Sequence, residues 1–318
     1  MEVQAPFGFV TACHAADKFM VQATLASIKF FCPGVPVCLL VDGDFDVSDL
    51  ERQYAPIVMR VTDLPNVRMR ELVSGNYRIK LAAMWEGPFD FYVWMDSDAI
   101  AWGDFTPHVR SDVDFQIFWS EISISTDETA VPPWLDHFYF DLEKLFLHDP
   151  DFEWRGHPYF SAGVYACRRN AISYDHWMKV EAWNGGIPDS LFRFGDQGIL
   201  NYLIHSGAQR GEMNVVCSDL QYLTRHHGRI EIDKDTSSCG WKFPEHINRP
   251  RTAHFCGQKP YIFNWRAYSR AFTIARLEHH RHRHSNLVAW LLVLQEEAHV
   301  YWGKLKRRFG KVIARVFR

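Results

Sequence analysis

Apolar residues in the N-terminal part of the chain switch repeatedly between strand-like runs and helical spacing. Residues 7–13, Phe-Gly-Phe-Val-Thr-Ala-Cys, form a strand-like run, and Phe19, Ala23, Ala26 and Phe30 then recur at helical intervals until Pro33-Gly34 stops them. A second strand over 35–41 closes on Asp42-Gly43-Asp44. Ser48 is placed to cap a short helix through about Tyr54, and a third strand follows over 57–61. Strand, helix, strand, helix, strand predicts an α/β fold with a mostly parallel, Rossmann-like sheet flanked by helices. A helix from about Asn76 to Trp85 then leads into residues 89–102, whose aromatic and apolar run predicts a central strand covered on both faces. Asp96 and Asp98 interrupt that run. Side chains alternate along a strand, so the pair is predicted to converge on one point while Ser97 faces elsewhere.

In parallel sheets ligands sit beyond the carboxyl ends of the strands, which puts the loop 14–19 and the Asp96/Asp98 pair on one rim. Hard carboxylate oxygens there suit manganese or magnesium, although a lone Asp-X-Asp is also an ordinary solvated turn. No GxGxxG follows the first strand, which argues against a dinucleotide site. Residues 115–160 are irregular and aromatic, and read equally as a satellite core or as stacking platforms for sugar rings. Three polar islands follow. Ser161-Ala162-Gly163-Val164 suggests a strand with a close backbone approach at Gly163; Asp196-Gln197 opens a helix with Asp196 as its N-cap; His254 to Lys259 follows a strand over 251–255.

Composition adds little to this until the charge is mapped. At 318 residues with 47% hydrophobic content, a large core is available, and an odd count of seven cysteines without paired spacing argues against a disulfide framework or a zinc site. A reducing, cytoplasmic setting is expected. The start lacks a basic and then apolar leader, and no apolar run is long enough to span a bilayer. The net charge of −3 conceals an asymmetry: residues 276–318 hold ten Lys and Arg against three Glu, a net of +7, leaving −10 on residues 1–275. An acidic body argues against nucleic acid as a partner. In the tail, Leu305, Phe309, Val312, Ile313, Val316 and Phe317 recur at helical spacing among Lys304, Lys306, Arg307, Arg308, Lys311, Arg315 and Arg318, a basic amphipathic helix. The chain is therefore divided into a domain, 1–275, and a tail, 276–318, expected to lie peripherally on the inner face of the cytoplasmic membrane. Packing of that helix on the acidic body is the alternative. His279, His280, His282 and His284 read as a solvated hinge, and removal of 286–318 is expected to leave transfer chemistry intact.

Taken in order, these motifs resemble glycosyltransferase family 8 of the GT-A fold, the group that includes glycogenin and bacterial lipooligosaccharide galactosyltransferases. The resemblance is carried by Phe9-Val10-Thr11, Lys80-Leu81, Met95-Asp96-Ser97-Asp98, Phe160-Ser161-Ala162-Gly163-Val164, Asp196-Gln197-Gly198 with Asn201, His254-Phe255-Cys256-Gly257 and Lys259-Pro260, over residues 7–265. It implies that Asp96, Asp98 and His254 hold Mn2+ (or Mg2+) against the two phosphates of a UDP-sugar, with Ser97, Gly257 and Lys259 also at the donor. It implies that Lys80 and Arg78 sit near donor phosphate or sugar, that Thr11, Ala12, Asp17 and Phe19 cradle the base, and that Asp196 and Gln197 are the catalytic pair beneath the transferred sugar. Two departures stand out. Lys259 follows Gly257 one residue sooner than in the family's Gly-X-X-Lys-Pro, with Tyr261 in place of a tryptophan, and Ala16-Asp17-Lys18-Phe19 replaces Asn-Asp-Ala-Tyr. The expected function is a metal-dependent, retaining hexosyltransferase acting on a glycan or lipid-linked acceptor at a membrane, as in lipopolysaccharide or polysaccharide biosynthesis. Alternatives are a non-catalytic carbohydrate-binding protein on the same fold and a sugar nucleotidyltransferase, for which the first loop offers only Lys18 as a basic group.

Overall fold

The structure, a computed structural model, describes residues 7–75, 77–119, 131–185, 191–224, 232, 234–237, 239–257, 259–264 and 267–316, without the side chains of Tyr77 and 304–316. Asn76, Phe317, Arg318 and the tail side chains named above from residue 304 onward lie outside that set. In chain order the elements are β1 (Gly8–His14), α1 (Lys18–Phe31), β2 (Val37–Asp42), α2 (Ser48–Tyr54), β3 (Ile57–Arg60), α3 (Val67–Val73), α4 (Lys80–Glu86), β4 (Phe91–Met95), β5 (Ala99–Trp102) and β6 (Phe115–Trp119). They continue as α5 (Pro133–Phe138), α6 (Leu142–Phe146), β7 (Val164–Arg168), α7 (Tyr174–Glu181), α8 (Asp196–Gln209), β8 (Val215–Asp219), β9 (Gln221–Leu223), β10 (Arg251–His254), α9 (Arg270–Arg281) and α10 (Asn286–Val316).

Seven strands form one sheet in the order β3-β2-β1-β4-β7-β6-β8. Only β7 runs against the others, pairing antiparallel with both β4 and β6. The central strand β4 is apolar throughout because each face has its own core. Tyr92 and Trp94 of β4, with Val10 and Ala12 of β1, join a cluster that includes α4 and α8, whereas Phe91, Val93 and Met95 join one formed with α1, β5 and α9. The seven cysteines are free.

The predicted central strand over 89–102 is two strands. β4 stays in the main sheet, and β5 leaves it for a three-stranded sheet of order β5-β10-β9. The Asp96/Asp98 pair therefore occupies a turn, closed by the Ala99 amide donating to the Asp96 carbonyl at 2.9 Å, and converges through that turn rather than through strand alternation. The helix expected from Asn76 begins as a 3-10 turn (Tyr77–Ile79) before α4. At α2 the cap position is Val47 rather than Ser48, and the Asp46 carboxylate accepts the Ser48 amide at 2.9 Å.

The aromatic segment is mostly core: Phe140, Trp154, Tyr159 and Phe160 are buried in the α8-side cluster. Position 275 lies inside α9, whose Ala271, Phe272, Ile274 and Ala275 pack in the same cluster as Phe19, Ala23 and Ile28 of α1. Of the four histidines, His282 and His284 are exposed in the turn between α9 and α10, as a solvated hinge would be, but His279 and His280 are not. His279 is buried, with its Nδ1 2.8 Å from the Tyr54 hydroxyl, and His280 Nε2 is 2.8 Å from Glu296 Oε1 of α10. The helical period explains this, since His279 lies one turn beyond Ala275 and Arg276 on the inner face of α9.

Candidate active site

The turn between β4 and β5 is fixed from two sides. On one, the Asp96 amide donates to the Gly163 carbonyl at 2.8 Å, at the mouth of β7. On the other, antiparallel pairing of β5 with β10 sets His254 opposite Ala99, and the Phe255 amide donates to the Asp98 carbonyl at 2.9 Å. Sheet register thus delivers the imidazole from the far end of the chain. His254 Nε2 lies 3.6 Å from Asp98 Oδ1 and 3.9 Å from Asp96 Oδ2. Gly163 leaves room for the ring, for a Cβ there would fall 2.1 Å from His254 Cε1. The Ser161 hydroxyl stands 3.4 Å from the other ring nitrogen, Nδ1.

Two lysines balance the carboxylates. Lys259 Nζ pairs with Asp98. Lys80 Nζ lies 2.9 Å from Asp196 and 3.4 Å from Asp96, and donates to the Ala162 carbonyl at 3.1 Å. Burial pulls both lysine pKa values down, but the facing carboxylates outweigh it: Asp196 and then Asp96 hold Lys80 protonated, and Asp98 does so for Lys259. Burial pushes the Asp196 carboxyl up, opposed by Lys80. The Trp94 indole N–H donates to Asp96 Oδ1 at 2.8 Å, tying that carboxylate to the end of β4.

These groups line a cleft of about 600 Å³ at the carboxyl ends of β1 and β4. Asp96, Asp98 and His254 each offer one atom within 4.8 Å of the others, a set able to hold a metal ion. Adjacent ligands on an octahedral ion with bonds of ~2.1 Å stand about 3 Å apart, so small side-chain shifts bring these atoms into range. Two carboxylates and an imidazole suit a manganese-like divalent cation.

No protein-family model matches the chain, and no curated protein matches it in sequence. Solved structures do. The galactosyltransferase LgtC, in complex with donor and acceptor sugar analogs, superimposes with a TM-score of 0.54 at 16% identity, over 85% of this chain and 95% of its own. The fold is that of the GT-A glycosyltransferases. The bifunctional glycosyltransferase WbbM matches at 0.55 with 11% identity, over 91% of this chain and 52% of its own. The glycosyltransferase GlyE of Streptococcus pneumoniae TIGR4 matches at 0.50 with 13% identity, over 92% of this chain and 64% of its own.

On this GT-A scaffold most residues singled out in the sequence meet at one cleft. Ala12, Asp17, Lys80, Asp96, Ser97, Asp98, Asp196, Gln197, His254, Gly257 and Lys259 all line it. Asp17 accepts the His14 amide at 2.7 Å and the Ser97 hydroxyl at 3.1 Å, which ties the first loop to the carboxylate turn. Three residues are not brought to the wall. Thr11 is fully buried, since alternation along β1 turns it to the same side as Phe9 and Cys13; Phe19 packs on Tyr261, ring centroids 5.8 Å apart; Arg78 is paired with Glu181 of α7. Asp196 is the first residue of α8 and not its cap. The cap is Gly195, whose φ of 59° and ψ of −103° suit a residue without Cβ.

Sequence reading placed His14 on the rim only as part of the first loop, without a role of its own, and missed Phe194. His14 ends β1 in register with Asp42 at the end of β2, its Nδ1 3.4 Å from that carboxylate, and the shared strand-end position was the available signal. Phe194 lines the cleft with 61% of its surface exposed and a left-handed φ of 48°. An aromatic two residues before the Asp196-Gln197 turn was its signal.

Proposed function

We propose that the chain is a metal-dependent glycosyltransferase that moves a sugar from a UDP-sugar to a glycan or glycolipid acceptor with retention of anomeric configuration. One observation carries the reading: Asp96, Asp98 and His254 form a metal-sized cluster with Lys259 against it, at the carboxyl edge of a GT-A sheet. When bound there by Asp96, Asp98 and His254, a divalent ion supplies Lewis-acid charge against the diphosphate. Lys259 exchanges its contact with Asp98 for the diphosphate and neutralises the charge that grows on the leaving group. Lys80 holds the Asp196 carboxylate beside the transferred sugar, where it orients hydroxyl groups. Gln197 donates its side-chain amide to the Phe138 carbonyl at 3.1 Å, which leaves its carbonyl oxygen to face the positive charge developing on the sugar ring.

The acceptor side of the proposal rests on α10. Leu287, Val288, Leu291, Leu294 and Trp302 are exposed along its outer face, ahead of the basic stretch. No helix among the described residues is long and apolar enough to cross a membrane. An amphipathic helix of this kind binds an anionic surface, each basic side chain adding at most about 1 kcal/mol. We read the protein as peripheral on the inner face of the cytoplasmic membrane, with the outer face of α10 and the basic stretch that follows it, rather than the whole of 276–318, as its membrane-associating part. The test is incubation of UDP-sugars with Mn2+, following UDP release and sugar transfer. Wild-type turnover that Asp98→Ala reduces by a hundredfold or more, about 2.7 kcal/mol in the barrier, supports the reading. Full activity in Asp98→Ala, or in EDTA, rejects the metal-dependent mechanism. A thermal-shift panel of nucleotide sugars with Mn2+ then identifies the donor, because a bound donor stabilises the fold by mass action.

A further inference from the structure

We propose that Glu297, on the C-terminal helix, is a positioning residue that sets the loop carrying Lys259. The inference rests on the reading of the cleft as a nucleotide-sugar site and adds a residue outside it. Between β10 and α9 the segment 259–264 has no regular structure, yet the backbone amides of Tyr261, Ile262, Phe263 and Asn264 are all engaged. Tyr261 N and Asn264 Nδ2 donate to the Lys259 carbonyl at 2.9 and 3.1 Å, and Asn264 N donates to the Tyr261 carbonyl at 3.0 Å. The next two amides leave the loop: Ile262 N and Phe263 N donate to Glu297 Oε1 and Oε2 at 2.8 and 3.3 Å. One carboxylate therefore holds consecutive amides of the turn that aims Lys259 at Asp98.

Glu297 is a costly choice for mere packing. It is wholly buried, and the neighbouring positions on the same face of α10, Ala289 and Val293, are apolar. Burying a carboxylate costs several kcal/mol unless charge and hydrogen bonds compensate. Here Arg276 Nη1 supplies the charge at 2.6 Å and the two loop amides supply the hydrogen bonds. Fastening α10 to α9 does not need Glu297. Glu296 already accepts from Arg276 Nη2 at 2.8 Å and contacts His280 at 2.8 Å. What Glu297 adds is the loop.

The test is calorimetric titration with UDP and with UMP, each with Mn2+, because Lys259 is assigned to the diphosphate. In Glu297→Ala the Kd for UDP rises about tenfold or more, as expected for losing hydrogen bonds to a charged group, while the Kd for UMP is unchanged. Glu297→Gln, which keeps an acceptor for the Ile262 amide, falls between wild type and alanine. In a Lys259→Ala background, Glu297→Ala changes UDP affinity by less than about twofold, since coupled residues are not additive. If alanine leaves Arg276 unpaired and the chain fails to fold, the apolar pair Arg276→Met/Glu297→Leu removes both charges and is expected to show the same selective loss of UDP affinity. A folded variant with wild-type UDP affinity, equal losses for UDP and UMP, or additive effects with Lys259→Ala would each overturn the inference. Wild-type protein that binds no UDP rejects the nucleotide-sugar reading itself, and the inference with it; UDP binding that Asp98→Ala abolishes and the Glu297 variants leave intact rejects the inference alone.

Discussion

Gly163 has no side chain because the His254 imidazole occupies the space one would fill. Its backbone cannot step aside, since its carbonyl accepts the Asp96 amide at 2.8 Å. A Cβ 2.5 Å from Nε2 must therefore push the ring off the Asp96/Asp98 pair. Gly163→Ala is expected to weaken Mn2+ binding in the presence of UDP by about tenfold to a hundredfold, the range for misplacing a ligand through its surroundings. Calorimetry checks it, with a thermal melt to show the variant folded; unchanged Mn2+ affinity would remove His254 from the metal set. The sequence disclosed this site unevenly. Asp96 and Asp98 stand out because acids inside an apolar run require a reason, and Gly163 was visible as a point of close approach. His254 and Lys259 were connected to them only by resemblance, because what joins them is β5–β10 register, a tertiary fact with no local trace. Arg78 misled for the opposite reason: a basic residue near the carboxylate pair in sequence found a nearer carboxylate, Glu181, in space.

Helices and strands differ in how openly they announce themselves. β1 through β3 with α1 and α2 were legible because run lengths, helical spacing and Gly or Pro punctuation agree. The second sheet was not, as β5, β9 and β10 have four, three and four residues and carry no sign of which strand they join. α9 shows how composition hides burial. Four histidines within residues 279–284 look like solvated chain, yet burial, then His280, pulls the pKa of His279 down to about 3. Of the other groups around it, Asp49 opposes that shift, and Arg283 and Lys18 add to it. The unfolded chain takes up this proton below about pH 6.5. Between roughly pH 6.5 and 3 the unfolded state thus binds more protons than the folded one, so the contribution is complete above that window and is lost as pH falls through it. From pH 7 to 5 the loss from His279 is about 2 kcal/mol. Urea unfolding at pH 5, 6 and 7 is expected to show that decline, and His279→Gln to remove about that much of it. An unchanged slope in the variant would mean that His279 titrates normally in the folded protein.

At the scale of the whole molecule, α10 faces two ways, and the faces answer to different parts of the function. Its inner face, through Ala289, Val293 and Glu297, is part of the body. Its outer face, through Leu287, Leu291 and Leu294, is exposed and leads into the basic segment. The expectation that 286–318 can be removed without harm to transfer does not survive this geometry. Truncation would strip Arg276 of both carboxylates and release residues 262 and 263, so it is expected to lower stability and transfer together; breaking a buried ion pair costs about 3–5 kcal/mol. Separating attachment from chemistry requires changes on the outer face alone. Replacing Leu287, Leu291 and Leu294 with Gln removes apolar area worth roughly 3 to 5 kcal/mol if all three enter a lipid interface. The triple variant is expected to lose sedimentation with phosphatidylglycerol/phosphatidylcholine vesicles while transferring sugar to a soluble acceptor at the wild-type rate. Wild-type sedimentation should itself weaken with added salt, since screening acts on the basic residues and not on the leucines. If the triple variant sediments as well as wild type, the outer face of α10 is not the attachment surface.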